Sequence, residues 1–576
     1  MTWRWAVVLV LLSAAAGGLL VSLPRFARPY AGPLAWDGPV QFSGERAWAD
    51  MVTLATRFPR RWSGEPDRQA AADWLADLLA AMGLDVHRET FTGWVGGPRP
   101  VTLENVWAVS PGTDRRDEII VLAGNYDMAP TSVQAASDTA GHVGTILELA
   151  RLFSAVPHRR TLVFFFPDGE EWGMLGARRF VRTFPQRGQI IAALSIEDLD
   201  PGALAAIGID GIGQFRGFSP MWLRALAADA ATREGYRTDE VTSVFEWIQR
   251  SLLVSSTDQG PFLERGIPAI DLAGRSDDLA LKARVYHLPD DTIEHMRPGS
   301  VLAYGRIQER IVRAIDAMPD VPQESSVYLR LGPGRLVPFG WLLAVQILVF
   351  APLAAALVLR ARQGTLRGTP VLRELLRVGT VLVALLVWVD AIKLMPFVGL
   401  LPRYSLYPPP PRHPLLTTVL WSPLLVAAAV LIVAALLARP IVRTLRDSAG
   451  VAPDVRMSAL LVCLAGLVAV ALAHNPFGTV TFLLLPSLLW IWVRPRASLL
   501  GRVVNAALLA VGFAVVVMLF MQYAVNLGLG WYILWYVFLA IAYASFTLPQ
   551  IVLSFATLAV AIRLLAVSAL RGSATR

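Results

Sequence analysis

The sequence predicts an α/β domain, with a largely parallel mixed sheet sandwiched by helices, followed by a polytopic α-helical membrane domain. Three observations carry this. Short apolar runs alternate with helix-periodic segments between residues 67 and 200. Those runs end in acidic residues. Beyond Arg335 the apolar residues gather into long runs, within a chain that is 55% hydrophobic and has a mean hydropathy of +0.50.

The first segment, 1–24, holds "WAVVLVLLSAAAGGLLVSL" from Trp5 to Leu23, with Arg4 before it. A run of roughly 20 apolar residues is long enough to span a bilayer. The small-residue stretch "AAAGG" resembles a signal peptide. The apolar run continues past that stretch, so an uncleaved anchor is the expectation, and either reading exports the domain after it.

Residues 25–336 are long enough for one large domain. "DRQAAADWLADLLAAMG" (67–83) has helical periodicity, with Ala71, Trp74, Leu75, Leu78 and Leu79 on one face and Gly83 as a stop. "EIIVLAGNYD" (118–127) reads as a buried strand, "HVGTILELARLF" (142–153) as a helix, "RTLVFFF" (160–166) as a strand, and "QIIAALSIEDLD" (189–200) as another. Strands alternating with helices imply parallel pairing with both faces covered. Ligands gather at the carboxyl ends of such strands, and these three deliver Asp127, then Glu170 and Glu171, then Asp198 to that rim. Asp138 stands where it can cap the 142–153 helix. Asp291 and Glu294 have the spacing of a capping box, with His287 just upstream. A histidine near converging carboxylates is a candidate zinc ligand.

Residues 337–576 read as about seven or eight membrane helices, on apolar runs near 338–359, 378–400, 415–438, 457–473, 477–493, 502–525, 531–548 and 551–570. Arginines alternate between loops: Arg360, Arg362, Arg367, Arg373 and Arg377 in the first, Arg439, Arg443, Arg446 and Arg456 in the third, Arg494, Arg496 and Arg502 in the fifth. The second loop, with its four prolines at 408–411, has only Arg403 and Arg412, and the fourth has none. By the positive-inside rule, the segment between Leu23 and Val337 is extracytoplasmic, and a bacterial plasma membrane is the expected setting. One of the last two spans is expected to be re-entrant or interfacial, because nine crossings leave Arg571 and Arg576 on the wrong side. From Arg25 to Arg335 there are 40 acidic and 33 basic residues; the rest of the chain has 4 and 19. The basic excess therefore marks cytoplasmic loops rather than a nucleic-acid surface. The sole cysteine, Cys463, falls in a span, which excludes disulfides and thiol catalysis from the exported part. Asp390 and Lys393, three residues apart in an expected span, read either as a functional intramembrane pair or as a structural one.

Six blocks occur in order along the chain: "NYD" (125–127), "DTAGH" (138–142), "DGEEWGMLG" (168–176), "IEDLD" (196–200), "DQGPFLERGIP" (258–268) and "YHLPDD" (286–291). In this order they resemble the M28 family of zinc peptidases, over about Phe42 to Asp316. With an anchor and a polytopic tail, the chain looks like the membrane-bound branch typified by the endoplasmic reticulum metallopeptidases. The resemblance implies a zinc-dependent peptidase, most simply an aminopeptidase, acting on peptides at a lipid bilayer. It implies Asp138 as the carboxylate bridging two ions, Glu171 and His287 as ligands of one ion, Asp198 as a ligand of the other, Glu170 as general base, and Asp127 as an orienting acid. Where the family has a histidine ligand, this chain has Asn125, a weak donor beside imidazole. One or two zinc ions are therefore compatible with the blocks. His142, one helical turn after Asp138, is a candidate substitute, and Glu197 an alternative to Asp198. Strand alternation lets only one of those two face the site. Trp172, Phe262 and Tyr286 are candidate pocket lining. The competing expectations are a single-zinc glutaminyl cyclase-like enzyme, an impaired M28-like binding module on a membrane scaffold, and a transporter built on Asp390 and Lys393.

Overall fold

In the computed structural model, the described residues are 3–95, 99–240, 243–332, 334–403, 418–445, 451–495, 498–526 and 528–569. The four prolines at 408–411, Arg412, Arg446, Arg496, Arg571 and Arg576 lie outside them. The strands are β1 (Arg28–Pro29), β2 (Asp85–Gly93), β3 (Val101–Ser110), β4 (Arg115–Ala123), β5 (Arg160–Phe166), β6 (Ile190–Leu199), β7 (Leu204–Asp210), β8 (Arg237–Asp239), β9 (Ala269–Ser276), β10 (Tyr328–Arg330) and β11 (Arg335–Pro338). Eight of them form one mixed sheet in the order β2-β3-β5-β4-β6-β9-β7-β8. Its centre, β5-β4-β6-β9, is parallel, so four carboxyl ends share one rim.

The sequence dictates this centre. Every residue of β5 is buried, and the last five of β4 are too, which suits strands covered on both faces. The helix Gly141–Ala155, exposed only at Ala155, lies on one face beside the helices Gly44–Arg57, Pro66–Ala81 and Pro298–Ala317. Pro66 at the first turn is pre-set for a helix start. Ala71, Leu75 and Leu79 are fully buried, while Trp74 and Leu78 pack at the edge. The opposite face is covered by Leu175–Thr183 and Gln259–Glu264; Phe180 stacks on Phe165, and Phe262 packs against Phe180 in the same cluster. Phe262 is thus core, not pocket lining.

Six helices among the described residues are long and apolar enough to cross a membrane: Trp3–Val21, Phe339–Arg362, Gly368–Leu394, Trp421–Thr444, Pro453–His474 and Leu548–Ser568. A further pair, Leu499–Gly512 and Ala514–Val525, is bent by 52°. The expected spans 477–493 and 531–548 are too short. The 14-residue helix Pro476–Leu489 is roughly 21 Å long at 1.5 Å per residue, against about 30 Å of hydrocarbon. The final run, 551–570, is by contrast a full-length helix.

Asp390 is also displaced from its expected place. Its helix runs Gly368–Leu394, so Asp390 and Lys393 occupy the last turn or so, not the middle. The two form no ion pair among the described residues. The buried charge in this bundle belongs to Glu374, which is held by Arg377, by Arg456 at 3.0 Å and by Arg563 at 3.0 Å.

The two parts touch through the helix Ser243–Leu252. Asn475 Nδ2 donates to the carbonyls of Arg250 (2.8 Å) and Ser251 (3.2 Å). Trp247 Nε1 donates to Thr481 (3.0 Å), and Gln550 Nε2 to the Leu252 carbonyl (2.7 Å).

Candidate metal centre

The site is assembled from the loops that leave β4, β5 and β6, and from the segment after Val285. Beyond β5, Gly169 (φ 79°) and Gly173 (φ 103°) flank a single turn, Glu170–Trp172. Both glycines adopt left-handed backbone that a side chain would strain. The turn is fixed from below by Asp127, whose Oδ1 accepts the Glu170 amide (3.1 Å) and whose Oδ2 accepts from Ser63 (3.2 Å). Ser63 also donates to Asp168 (2.9 Å), which accepts the Glu104 amide (2.8 Å) and faces Arg68 Nε at 3.3 Å. Burial and the charge on Asp168 push Asp127 up to about 7. Asp127 therefore orients the two-glutamate turn through its backbone.

Asp138 does not cap the following helix. Its backbone (φ −132°, ψ 88°) is non-helical, and the cap position is Ala140. Asp291 fixes it instead, accepting from the amides of Ser137 (2.7 Å) and Asp138 (3.3 Å). The expected capping box at 291–294 is thus replaced by a tie to a distant loop, because two unpaired amides at a sharp turn are better partners. Arg61, fully buried, holds the same loop from behind through the carbonyls of Gln134 (2.8 Å) and Ala135 (2.9 Å). His287 has left-handed backbone (φ 55°), with its carbonyl accepting from Thr131 at 2.6 Å. That posture is a local strain held by its surroundings.

These three segments bring Asp138, Glu171 and His287 together. His287 Nε2 lies 3.0 Å from Asp138 Oδ2 and 3.4 Å from Glu171 Oε2, and the three donor atoms lie within 4.8 Å of one another. Glu171 Oε1 is buried with no hydrogen-bond partner. One imidazole and two carboxylates around a point, with a carboxylate oxygen left over, suit a zinc ion. Although burial acts the other way, Glu171 and Asp138 push His287 up to about 9. Burial, then the charges of Glu197 and Glu171, hold the Glu170 carboxyl well above the usual range.

Asp198 and Asn125 stand apart from this trio. Asp198 Oδ2 is 3.1 Å from Arg275 and 3.5 Å from Lys282, and its Oδ1 accepts from Ser137 Oγ at 3.3 Å. Asn125 turns its Nδ2 to Asp127 (3.4 Å) and leaves Oδ1 unpartnered. His142 Nε2 faces the Asn125 backbone carbonyl at 2.9 Å, while its Nδ1 is buried without a hydrogen-bond partner. Burial drives its pKa down to about 4. β6 pairs with β9 at Glu197 and at Leu199 but skips Asp198. This irregularity breaks strict alternation, so both acids sit close enough to Asp138 for its charge to raise them. Trp172 is half-buried beside the trio and Tyr286 stacks on His287, with ring centroids 3.9 Å apart.

Residues 105–312 match the profile of Peptidase family M28. The chain carries an M28 peptidase domain. It is 26% identical over 261 residues to a vacuolar membrane protease of Candida albicans (strain WO-1), covering 45% of this chain and 28% of the relative. It is 32% identical over 165 residues to a probable zinc metalloprotease of Pyricularia oryzae, covering 26% of this chain and 33% of that one. The match thus spans a third or less of those relatives' length. Among solved structures, a zinc aminopeptidase from Bacillus subtilis aligns with a TM-score of 0.40 and 15% identity, over 48% of this chain and 95% of that one. A Porphyromonas gingivalis glutaminyl cyclase aligns at 0.40 and 19%, over 47% and 98%. The M28 domain is accompanied by several apolar helices of membrane-spanning length.

Several residues around the M28 site were not singled out by the sequence patterns: Arg61, Ser63, Asp168, Asp258, Asp271, Arg275 and Lys282. Asp168 and Asp258 lie inside quoted blocks, and the apolar run before Asp168 was the available signal. No short-range pattern points to Arg61, Arg275 or Lys282.

Proposed function

We propose that this chain is a membrane-anchored zinc peptidase that removes residues from the amino termini of peptides. The observation that carries this is the convergence of Asp138, Glu171 and His287 beside Glu170, with an unpartnered Glu171 oxygen in the group. Asp138, Glu171 and His287 would hold a zinc ion, which would supply Lewis-acid activation of water and of the scissile carbonyl. Glu170 takes the proton of the attacking water and returns it to the leaving amine. Asp127 keeps Glu170 in position through its amide, and Asp291 keeps Asp138 in position. The acids outnumber the bases around Glu170, with Glu171, Glu197, Asp258 and Asp138 as its charged neighbours. Such a field favours a substrate with a cationic amino terminus over one ending in a carboxylate.

Arg4 before the first helix and the arginine-rich first and third loops support placing this domain on the side of the membrane away from the cytoplasm. Reporter fusions after Ser325 and within 360–375 should report opposite compartments; the same compartment for both removes this topology. A one-zinc cyclisation of amino-terminal glutamine is the second reading, favoured by Asn125 and by the pairing of Asp198 with Arg275. Purified full-length protein, screened on aminoacyl and glutaminyl substrates with its zinc content measured, separates the two. Turnover of neither class by a zinc-loaded sample refutes both.

A further inference from the structure

A second ion in this domain needs a carboxylate with a free oxygen at Asp198 and a good neutral donor near Asn125. The first is not on offer, and at position 125 the donor is an amide oxygen, weak beside imidazole. Asp198 Oδ2 lies within 3.5 Å of two cations, Arg275 and Lys282, and the same two cations hold Asp200, at 3.5 Å and 2.5 Å. Asp200 Oδ2 also accepts the Ser276 amide at 3.0 Å. Two carboxylates facing two cations are a balanced set, with no excess charge to attract a metal. Arg275 cannot give up its proton to make room. A divalent ion at Asp198 would meet two fixed positive charges at contact range.

The cations come from two separate elements. Arg275 lies on β9, which pairs with β6 on either side of Asp198. Lys282 belongs to the helix Leu279–Val285, which leads directly into His287. The unpaired position at Asp198 swings its carboxylate toward both. From there Asp198 also reaches Ser137, next to Asp138. The clamp thus joins β6, β9, the His287 segment and the Asp138 loop, the parts that a bridging pair of ions would otherwise draw together. Asn125 completes the change by turning its Nδ2 toward Asp127.

We propose that Arg275 and Lys282 are a built-in replacement for the second metal, so that this M28 domain is a one-metal centre. The proposal rests on Asp138, Glu171 and His287 being the ligands of that one ion. It has a consequence that the Asn125 position alone does not have: restoring a histidine there does not restore a second site, because Asp198 stays occupied.

The test is metal stoichiometry on the metal-stripped, full-length protein in detergent, titrated with Zn2+ or Co2+ under equilibrium dialysis. The wild type and Asn125→His should each take up one ion per chain. Asn125→His combined with Arg275→Met and Lys282→Met should take up two, the second bound at least about tenfold tighter than any second ion in Asn125→His, the scale on which neighbouring groups tune a metal site. Two ions in the wild type or in Asn125→His alone, or only one in the folded triple variant, overturns the proposal. Should the triple variant fail to fold, wild-type protein with excess Co2+ decides: an isolated-ion EPR signal supports the clamp, and a spin-coupled pair refutes it. No ion bound by the wild type, with Glu171→Ala no different from it, would instead refute the one-metal reading beneath the proposal.

Discussion

Two glutamates in this domain face opposite environments. Glu246, in the helix Ser243–Leu252, sits among Arg224 at 2.8 Å, Arg250 at 2.8 Å and Arg330 at 3.5 Å. Despite burial, these guanidinium groups pull its pKa down to about 2. Glu170 is half-buried, and burial followed by the charges of Glu197, Glu171, Asp258 and Asp138 pushes its pKa up. Where the protein supplies its own counter-charge, a buried carboxylate is structural. Where it withholds it, the carboxyl is neutralised by a proton or by something bound, and such groups cluster at functional sites. The same rule separates Asp198, clamped by two cations, from Asp138 and Glu171, which share one histidine.

The largest way to break this contrast is to remove a member of the acidic group. Glu171→Ala should lose the metal and, with it, all measurable turnover. Glu170→Gln should keep the metal while turnover falls by about 10²–10⁴-fold or more. Equal metal loss in both variants, by elemental analysis, would contradict the division of labour.

The balanced glutamate should behave differently. Glu246→Gln strips Arg250 of its carboxylate, leaves Arg224 and Arg330 paired with Glu240, and should cost about 3–5 kcal/mol of stability, read as a lower Tm with the ligand trio intact. The pH dependence has a fixed sign. A carboxyl whose folded pKa is near 2, against an ordinary value of about 4.3, stabilises the fold fully above the ordinary value, and that contribution fades as pH falls through the folded one. The wild type should therefore lose more Tm than Glu246→Gln between about pH 5 and pH 2; parallel losses would show that Glu246 is not the titrating group. The smallest effect is expected at Asp390. It is exposed in the last turn or so of its helix and has no ion-pair partner among the described residues, so Asp390→Asn should shift stability by less than about 0.5 kcal/mol. A loss of activity there would restore a working role for that acid.

These contrasts also explain what the sequence displayed and what it concealed. Strand-end acids were visible because a buried parallel strand is an unbroken apolar run, and the first polar residues after it must lie at the rim. The six blocks gave the trio for the same reason. The clamp was hidden, because Asp198 meets Arg275 and Lys282 only through strand pairing and a one-residue irregularity that no spacing encodes. Asp291 was misread as a local cap because a capping box is a short-range pattern, whereas its amide partners lie about 150 residues away. In the membrane part, the loop arginines Arg377 and Arg456 are joined by Arg563 of the last helix. They converge instead on Glu374 inside the bundle, which moves the start of that helix back to Gly368 and pushes Asp390 to its end.

A small three-stranded sheet near the membrane helices has a kinetic consequence. β1, just after the first apolar helix, pairs antiparallel with β11, just before Phe339, with Arg28 opposite Leu336 and Pro29 opposite Arg335. Phe26 stacks on Trp341 beside it, with ring centroids 4.6 Å apart. Both ends of the peptidase domain are therefore buckled together, leaving no slack leash to either helix. Flexible tethers let a domain sweep a volume that grows with their length; this one has almost no such volume. Under the proposed function, encounter with a membrane-bound substrate is a two-dimensional search, paced by lateral diffusion and by molecules per unit area, while a soluble peptide must travel to the surface to be met at all.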